Sequence, residues 1–265
     1  MSASVPNVLR LENVARRFPG RAPGAPPFTA VRDLNLHVDK GEFVSVVGPS
    51  GCGKSTLLNL VSGLDRPSEG TVRLNGTEVT GPNSNVGFML QKDLLLPWRT
   101  VRHNIEFGLE AGSIGTSERK ARVERELKRC RLVDFADRYP YQLSGGQRQR
   151  AALARTLAID PAVVLLDEPF SALDAQTKLV IQKSFAETIA GSGLTTLLIT
   201  HDLAEAVAMS DRILVMSDGP GRVVEEIDVG LPDRNNPIAR AAKPRAAEIV
   251  AHLFQSLHID NRLDA

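Results

Sequence analysis

Cysteine and long apolar stretches are scarce in this sequence. Its 265 residues include only two cysteines, Cys52 and Cys130. They are too few for a disulfide framework or a four-thiolate zinc site, and we expect reduced thiols in a cytosolic chain. No stretch approaches the roughly 18 apolar residues that a membrane-spanning helix needs. The N-terminus, MSASVPN, lacks the basic and apolar segments of a secretory signal. If the protein works at a membrane, another subunit is expected to carry the spanning helices.

An excess of charge of one sign is also lacking. Lys and Arg number 32 and Asp and Glu 31, so the net charge of +1 gives no chain-wide basic field for nucleic acid. This balance leaves room for a local basic patch, and we predict no nucleic-acid partner. Apolar residues make up 42% and charged residues 24% of the chain, which is the balance of a packed globular protein rather than a disordered or fibrous one.

Short apolar runs alternate with helical patterns along much of the chain. A β-branched run predicts a strand at Phe43–Val47, and a helical pattern over residues 54–64 follows it after a glycine-rich segment. Further strands are predicted at residues 163–166, Thr195–Ile199 and Arg212–Met216, with helical stretches between them. Parallel strands with crossover helices are the natural arrangement, so we expect an α/β fold.

Other segments have a different character. Loosely alternating residues 9–18 predict an edge strand, and residues 31–38, 70–76 and 86–90 predict further strands. Polar helical stretches between Gln91 and Ser144 predict a separate helical subdomain. After about Val229 the pattern weakens into a loop, followed by an amphipathic helix over residues 246–257.

The glycine-rich segment matches the pattern G-x-x-x-x-G-K-[ST] between a strand and a helix. Its backbone N–H groups can point at phosphates, Lys54 supplies charge to the outer phosphates, and the Ser55 hydroxyl can ligate Mg²⁺. A plain glycine turn is the alternative, but it has no need of a Lys-Ser pair. The predicted nucleotide-binding residues are Gly48, Pro49, Ser50, Gly51, Cys52, Gly53, Lys54, Ser55 and Thr56. Cys52 occupies a variable position of the pattern, so we expect no thiol chemistry from it.

Two adjacent carboxylates, Asp167 and Glu168, end the apolar strand at residues 163–166. Carboxylates beside a core are costly unless a cation receives them. We predict that Asp167 holds Mg²⁺ and that Glu168 polarises an attacking water as general base. An Asp-Glu pair that merely opens a loop is the alternative, and its place downstream of a phosphate loop argues against it.

Residues 143–147, Leu-Ser-Gly-Gly-Gln, resemble the signature motif of ATP-binding cassette proteins. Ordinary P-loop kinases and GTPases lack this motif. Other family elements follow in the family's order: Gln91 at the Q-loop, residues 171–174 resembling the D-loop, and His201 resembling the switch histidine. The resemblance covers roughly residues 8–225. It implies an α/β P-loop NTPase of ATP-binding cassette type, with a mixed sheet core, an antiparallel β subdomain and a helical subdomain.

The resemblance also implies domain bounds and site roles. Residues 8–90 and 160–228 would form the catalytic core with the β subdomain, residues 91–159 the helical subdomain, and residues 229–265 a C-terminal tail. His201 would contact the γ-phosphate and orient water with Glu168, and Gln91 would touch Mg²⁺ or water. Two cassettes would pack head to tail, as a homodimer or with a paralogue. The signature of one chain would complete the ATP site of the other through Ser144, Gly145, Gly146, Gln147 and Asp174.

The adenine contact departs from the family pattern. The family often stacks adenine on a Tyr near the N-terminal strand, and the corresponding position here is Phe18, which can stack but has no hydroxyl. A core aromatic at the end of a strand is the alternative interpretation of Phe18.

Within the family, several classes fit poorly. Only 53 positions separate Gln91 from Ser144, which leaves no room for the long coiled coil of chromosome-maintenance ATPases. Translation-associated members usually carry two cassettes, and exporters often fuse a membrane domain. Residues 91–101, QKDLLLPWRTV, together with Asn104 and residues 108–110, resemble the nitrate, sulfonate and taurine importer group.

That resemblance implies a peripheral ATPase on the cytoplasmic face of the cell membrane. It would drive an integral membrane permease, and a periplasmic or extracellular substrate-binding protein would take part indirectly. The apolar residues 94–98 would receive the permease, with packing inside the subdomain as the alternative. Importers of vitamin precursors or aromatic acids share this pattern, so the cargo stays open. A regulatory ATP-binding module without transport is the other alternative, and the intact Glu168 and His201 argue against it.

Overall fold

The computed structural model describes residues 7–20, 22, 24–112 and 114–257. Its strands, in chain order, are β1 (Asn7–Phe18), β2 (Phe28–Asp39), β3 (Phe43–Val47), β4 (Glu69–Leu74), β5 (Thr77–Glu78), β6 (Val86–Met89), β7 (Val163–Asp167), β8 (Thr195–Ile199), β9 (Arg212–Met216) and β10 (Val223–Asp228). Its α-helices are α1 (Lys54–Ser62), α2 (Val101–Glu110), α3 (Thr116–Arg129), α4 (Gly145–Leu157), α5 (Ala175–Ala190), α6 (Leu203–Met209), α7 (Pro237–Ala241) and α8 (Pro244–Ser256). Short 3₁₀ turns occupy Val133–Phe135 and Pro140–Gln142.

The central sheet has the order β10-β9-β3-β8-β7-β6. Strands β9, β3, β8, β7 and β6 are parallel, and β10 pairs antiparallel with β9 at one edge. All residues of β3 and β8 are buried, as are those of β7 up to Asp167. Continuous burial is expected of parallel strands covered by helices on both faces. The carboxyl ends of four adjacent strands, β3, β8, β7 and β6, therefore meet at one edge.

A second, antiparallel sheet has the order β2-β1-β4-β5. It packs on α1 through a core of apolar residues shared with β3, β7 and β8. The prediction of an edge strand at residues 9–18 is wrong, because β1 pairs with β2 on one side and β4 on the other. Its loose alternation instead reflects register shifts in both pairings, which break the strict two-residue period.

Helices α2, α3 and α4 pack on one another beside β6 and β7. Val101, Ile105, Leu127 and Leu153 are all buried in one cluster with residues of the central sheet. The polar pattern of α3 arises from ion pairs on its outer face, such as Arg122 with Glu118. This arrangement places the start of α4 away from the phosphate segment and next to α5.

The C-terminal segment packs on the central sheet. Ala246, Ile249 and Leu253 of α8 are buried against α6 and against β3 and β9. The guanidinium of Arg240 in α7 is fully buried and donates to the carbonyls of Ala208 and Ser210, in the last turn and at the C-cap of α6, at 3.2 and 2.8 Å. A cation at a helix C-terminus is favourable because carbonyl dipoles point at it. No described helix is long and apolar enough to cross a membrane.

Adjacent residues of α8 provide a test of this packing. Leu253 is fully buried and Phe254 is 41% exposed. We expect Leu253→Ala to lower the free energy of unfolding by about 2–5 kcal/mol, because it removes core contacts and leaves a cavity. Phe254→Ala should change it by less than about 0.5 kcal/mol. Urea denaturation of both variants measures this, and equal effects would contradict the packing described for α8.

Candidate nucleotide site

The phosphate segment, residues 48–56, follows β3 and leads into α1. Gly53 has φ +95° and a Cβ there would lie 2.4 Å from a methyl of Val31 and 2.9 Å from the Ala30 carbonyl oxygen, so only glycine fits. Gly53 is also the N-cap of α1 and offers no side-chain acceptor to its first turn. The first N–H groups of α1 are thus suited to bind an anion.

The charges of this segment are held close to the backbone. Lys54 Nζ donates to the carbonyl oxygens of Gly48 and Pro49, both at 2.7 Å. Cys52 is buried beneath the loop, with its sulfur 3.7 Å from Lys54 Nζ. Burial raises the pKa of the Cys52 thiol, although Lys54 opposes the shift. The thiol is therefore protonated at neutral pH and is a poor nucleophile.

Asp167 and Glu168 lie at the carboxyl end of β7. Burial and the neighbouring Glu168 raise the pKa of Asp167, and Lys54 opposes this shift. Glu168 has φ +45°, an unfavourable conformation for a residue with a side chain that costs of order 1–3 kcal/mol. Its N–H donates to the Ile199 carbonyl at 2.9 Å, which fixes the turn against β8.

His201 follows β8 and meets Glu168. Its Nδ1 lies 3.1 Å from Glu168 Oε2, within hydrogen-bonding distance. The His201 side chain is 65% exposed whereas that of Glu168 is 23% exposed. The sheet thus brings a half-buried carboxylate and an accessible imidazole within hydrogen-bonding distance of each other.

Gln91 reaches the same carboxylate residue through a third side chain. Gln91 Nε2 donates to Ser171 Oγ at 3.1 Å, and Ser171 Oγ donates to the Glu168 carbonyl at 3.0 Å. Ser171 was not predicted as a site residue. The only sign of its importance in the sequence was its place in the segment that resembles the D-loop. Spacing alone does not show that its hydroxyl bridges the loop of Gln91 and the turn of Glu168.

A surface cavity of about 340 Å³ adjoins these groups. It is lined by Phe18, Phe28, Ala30, Ser50, Gly51, Gly53, Lys54, Ser55, Thr56 and Glu168. Phe18 lies directly opposite Phe28 in the β1–β2 pairing. The guanidinium of Arg16 covers the Phe18 ring at 4.4 Å, and Phe28 is 61% exposed. Sequence reasoning missed Phe28, because its nearness to residues 48–56 depends on strand register.

The signature residues lie elsewhere, at the start of α4. Ser144 caps this helix by accepting from the Gln147 N–H at 3.3 Å, and Gln147 Oε1 accepts from the Ser144 N–H at 2.8 Å. A Cβ at Gly146 would lie 2.8 Å from a methyl of Ile181, so glycine permits close packing on α5. Neither Ser144 nor Gly145 lines the cavity described above. Asp174 does not line the cavity either. It caps α5 by accepting from the Thr177 N–H at 3.0 Å.

The segment after Gln91 presents an exposed indole. Trp98 is 71% and Leu94 52% exposed, whereas Leu95 is buried in the core. The fully buried Asn104 amide donates to the carbonyls of Leu96, Arg99 and Thr100 and accepts from the Leu96 N–H at 2.7 Å. The apolar residues 94–98 therefore do not behave alike: Leu95 packs inside the subdomain, whereas Leu94 and Trp98 are exposed.

This segment is also tied to the signature helix. Arg155 of α4 donates to the carbonyls of Asp93 and Leu94 at 2.7 Å, and Arg148 pairs with the Asp93 carboxylate at 3.2 Å. The same Arg148 donates to the Leu143 carbonyl at 2.8 Å, just before the signature serine. The exposed segment and the start of α4 thus form one connected unit.

Fold and site together define a P-loop ATP-binding protein with a cassette signature. The sequence pattern of the ABC transporter family matches residues 31–171, more than half of the chain. The protein belongs to the ABC transporter family and is an ATPase of that family, whose ATP hydrolysis is coupled to transport. The predicted family, fold class and enzyme class are thereby confirmed.

Two relatives carry named import functions. The chain is 41% identical over 236 residues to the nitrate import ATP-binding protein NrtD of Synechocystis, covering 89% of this chain and 88% of that protein. It is 43% identical over 205 residues to the taurine import ATP-binding protein TauB of Yersinia pestis, covering 77% of this chain and 80% of that protein. An uncharacterized ABC transporter ATP-binding protein of Bacillus subtilis, YtlC, is 49% identical over 195 residues, 74% of this chain and 75% of that protein.

Solved structures of cassettes are similar as well. A dimeric structure of the ATP-binding cassette MJ0796 bound to ADP and Pi has a TM-score of 0.70 and 35% identity, covering 83% of this chain and 98% of that chain. The structure of cbiO1 from Clostridium perfringens, part of the ABC transporter complex cbiONQ, has a TM-score of 0.75 and 25% identity, covering 97% and 99%.

The raised pKa of Asp167 gives a pH-dependent prediction. A carboxyl whose pKa is raised by folding stabilises the folded state at pH values below the ordinary aspartate pKa of about 4. This stabilisation is lost as the pH rises through the raised pKa. The neutral variant Asp167→Asn should therefore have a higher Tm than wild type without nucleotide at pH 8. The difference should shrink toward pH 4. Thermal unfolding measures both, with the exposed Asp134→Asn as control. A lower Tm for Asp167→Asn at pH 8 would contradict the burial argument.

Phe18 and Phe28 give a second prediction, on nucleotide affinity. A base stacked on an aromatic ring gains about 1–3 kcal/mol, so each of Phe18→Ala and Phe28→Ala should raise the Kd for ATP by about tenfold. Binding of inorganic tripolyphosphate should be unchanged, because the rings would not contact phosphate. Equilibrium titration measures both ligands, and Phe254→Ala on α8 is the control. Equal losses for ATP and tripolyphosphate would exclude adenine stacking.

Proposed function

We propose that this chain is the ATP-hydrolysing subunit of an importer and works as a dimer on the cytoplasmic face of the cell membrane. The observation that carries the proposal is the contact of His201 Nδ1 with Glu168 Oε2 at 3.1 Å. Glu168 also lines the cavity formed by the phosphate segment. A module that only binds ATP has no need of a carboxylate and an imidazole held together at that place.

Hydrolysis would use Glu168 as general base, with His201 at the γ-phosphate and orienting the water. Gln91 would touch Mg²⁺ or the water, and the Ser171 hydroxyl links its amide to the backbone of Glu168. Lys54 would leave the carbonyls of Gly48 and Pro49 to bind the outer phosphates, because a phosphate is a stronger acceptor for an ammonium.

The residues at the end of β7 fit a magnesium ion. Asp167 is a carboxylate whose burial disfavours its charge, so a nearby cation would stabilise it. Asp167, the Ser55 hydroxyl and Gln91 offer oxygen ligands, and Mg²⁺ is typically bound by one or two carboxylates or hydroxyls together with substrate phosphates. When bound, the ion would neutralise charge on the outer phosphates of ATP.

The place of the signature supports dimerisation. Ser144 is exposed at the positive end of α4 and lies outside the cavity of its own chain. An exposed serine hydroxyl and the N–H groups of Gly145 and Gly146 suit the γ-phosphate of an ATP held by a second cassette. The solved MJ0796 cassette is dimeric with ADP and Pi, which supports a head-to-tail pair here. The partner cassette would be a second copy or a paralogue.

A membrane permease would dock on the exposed indole. Trp98 and Leu94 are both exposed in the segment that follows Gln91, and tryptophan is enriched among residues that dominate protein interfaces. We further propose the division into a core of residues 8–90 and 160–228, a helical subdomain of residues 91–159 and a C-terminal tail of residues 229–265. A substrate-binding protein would contact the permease rather than this chain.

Nitrate, taurine or another sulfonate is the proposed cargo class. This rests on the relatives NrtD and TauB, named for nitrate and taurine import, each covering more than three quarters of this chain. The ATPase itself would not contact the cargo, so no residue of the described site selects it.

Growth of the host tests cargo and hydrolysis together. We expect a strain lacking this gene to lose growth on taurine, alkanesulfonates or nitrate as sole sulfur or nitrogen source, and wild type to restore it. Glu168→Gln should bind ATP and dimerise, lower ATP turnover by at least about 100-fold and fail to restore growth. Trp98→Ala should keep the ATPase activity of the isolated chain and fail to restore growth. Normal growth of the deletion strain on all these sources would exclude the proposed cargo class. Unchanged ATP turnover by Glu168→Gln would exclude Glu168 as the general base.

A further inference from the structure

A partly buried ionic network joins α5 to α6 beside His201. Lys178 of α5 donates to Asp202 Oδ2 and pairs with Glu205 Oε2, both at 2.8 Å. Gln182 of α5 donates to the same Glu205 oxygen at 3.0 Å. Glu205 is 4% exposed, so its carboxylate depends on these partners rather than on water.

Asp202 connects this network to the switch histidine. It follows His201 in the chain and caps α6, because its Oδ1 accepts from the Glu205 N–H at 3.0 Å. Its own N–H donates to Thr200 Oγ1 at 3.0 Å. The residues on either side of His201 are therefore fixed, and the remaining carboxylate oxygen of Asp202 is held by Lys178.

The charge states of Asp202 and Lys178 agree with this geometry, whereas burial raises the pKa of the Glu205 carboxyl although Lys178 opposes the shift. Burial opposes ionisation of Asp202, but the hydrogen bonds from Lys178 and from the Glu205 N–H outweigh it and lower the pKa of the carboxyl. Burial likewise opposes ionisation of Lys178, and its two carboxylate partners outweigh it and raise the pKa of the ammonium. At neutral pH the Lys178–Asp202 contact is thus between charged groups, which gives it the strength and directionality of a charge-assisted hydrogen bond.

The other end of the connection is the D-loop. Lys178 lies in the first turn of α5, whose N-cap is Asp174, and the Lys178 N–H donates to the Asp174 carbonyl at 2.8 Å. Asp174 is thus linked to Asp202 by the hydrogen bonds of Lys178, Asp202 is joined to His201 as its neighbour in the chain, and His201 contacts Glu168.

We infer that Lys178 is a positioning residue for ATP hydrolysis, which holds His201 against Glu168 through Asp202 and links this contact to the D-loop helix. The inference rests on the proposed role of His201. In the proposed dimer Asp174 faces the partner cassette, so a displacement of α5 on dimerisation would move His201. Lys178 would not contact nucleotide, because its ammonium contacts Asp202 and Glu205 and it does not line the cavity.

Steady-state ATP hydrolysis by the full chain tests this. We expect Lys178→Met to lower kcat by about tenfold or more with KM for ATP within about twofold, because a misplaced catalytic group affects the chemical step more than binding. Lys178→Arg, which keeps the cation, should restore most of kcat. Lys183→Met, on an exposed position of the same helix, is the matched control and should match wild type.

A double-mutant cycle separates positioning from a structural role. If Lys178 acts through His201, Lys178→Met should lower kcat no further in a His201→Ala background. The same fold loss in both backgrounds would overturn the inference, as would an unchanged kcat for Lys178→Met beside an inactive His201→Ala. Full activity of His201→Ala would instead refute the proposed role of His201, and the inference with it.

Loss of folding is controlled by a second pair of variants. Lys178→Met leaves the buried Glu205 charge without its cation, which destabilises a fold strongly. Glu205→Gln removes that charge but keeps the Lys178–Asp202 contact, so we expect near wild-type kcat. Lys178→Met/Glu205→Gln loses the contact without a buried unpaired charge, and should show the full loss of kcat while remaining folded by circular dichroism. Equal kcat for these two variants would overturn the inference.

Discussion

The parallel alignment of four adjacent strands is the constraint on which the site depends. In the order β3-β8-β7-β6, each strand ends at the same edge, and each is followed by one functional loop. The phosphate segment, His201, Glu168 and Gln91 come from positions far apart in sequence, and they meet because their strands are neighbours. A single register shift in this sheet would separate Glu168 from His201, since the Glu168 N–H is bound to the Ile199 carbonyl two residues before that histidine.

The end of β7 combines unfavourable electrostatics with backbone strain. Two carboxylates at the end of β7 lie close to Lys54, and the pKa of Asp167 is raised despite that cation. The positive φ of Glu168 adds backbone strain at the same turn. Such features are unfavourable for stability and are typical of functional sites, where a ligand compensates them. The central sheet, whose strands are buried on both faces, is stable enough to tolerate this local loss of stability.

Much of the fold could be predicted from the sequence, because its strands and helices have strong local patterns. β3, β8 and β9 have the predicted bounds, and the motif residues of the phosphate segment are recognisable from their spacing. Their assembly could not be predicted in the same way. Phe28 and Ser171 join the site through strand register and a loop contact, and β10 alternates at an edge where half of its residues are exposed. Lys178 resembles any helical lysine until α6 is packed beside it. The roles of the site residues stay predictions, since their chemistry is not visible in geometry alone.

The buried Asn104 amide has a thermodynamic consequence for the surface around Trp98. Four hydrogen bonds to the backbone of residues 96–100 fix this turn when the chain folds. Ordering a loop on binding commonly reduces affinity, because backbone freedom is lost at that moment. Here that entropy is lost once, during folding, and a partner that contacts the indole meets a surface already in its final shape. The affinity of such a partner would then be set by the contact itself, and Asn104 would contribute to it without touching the partner.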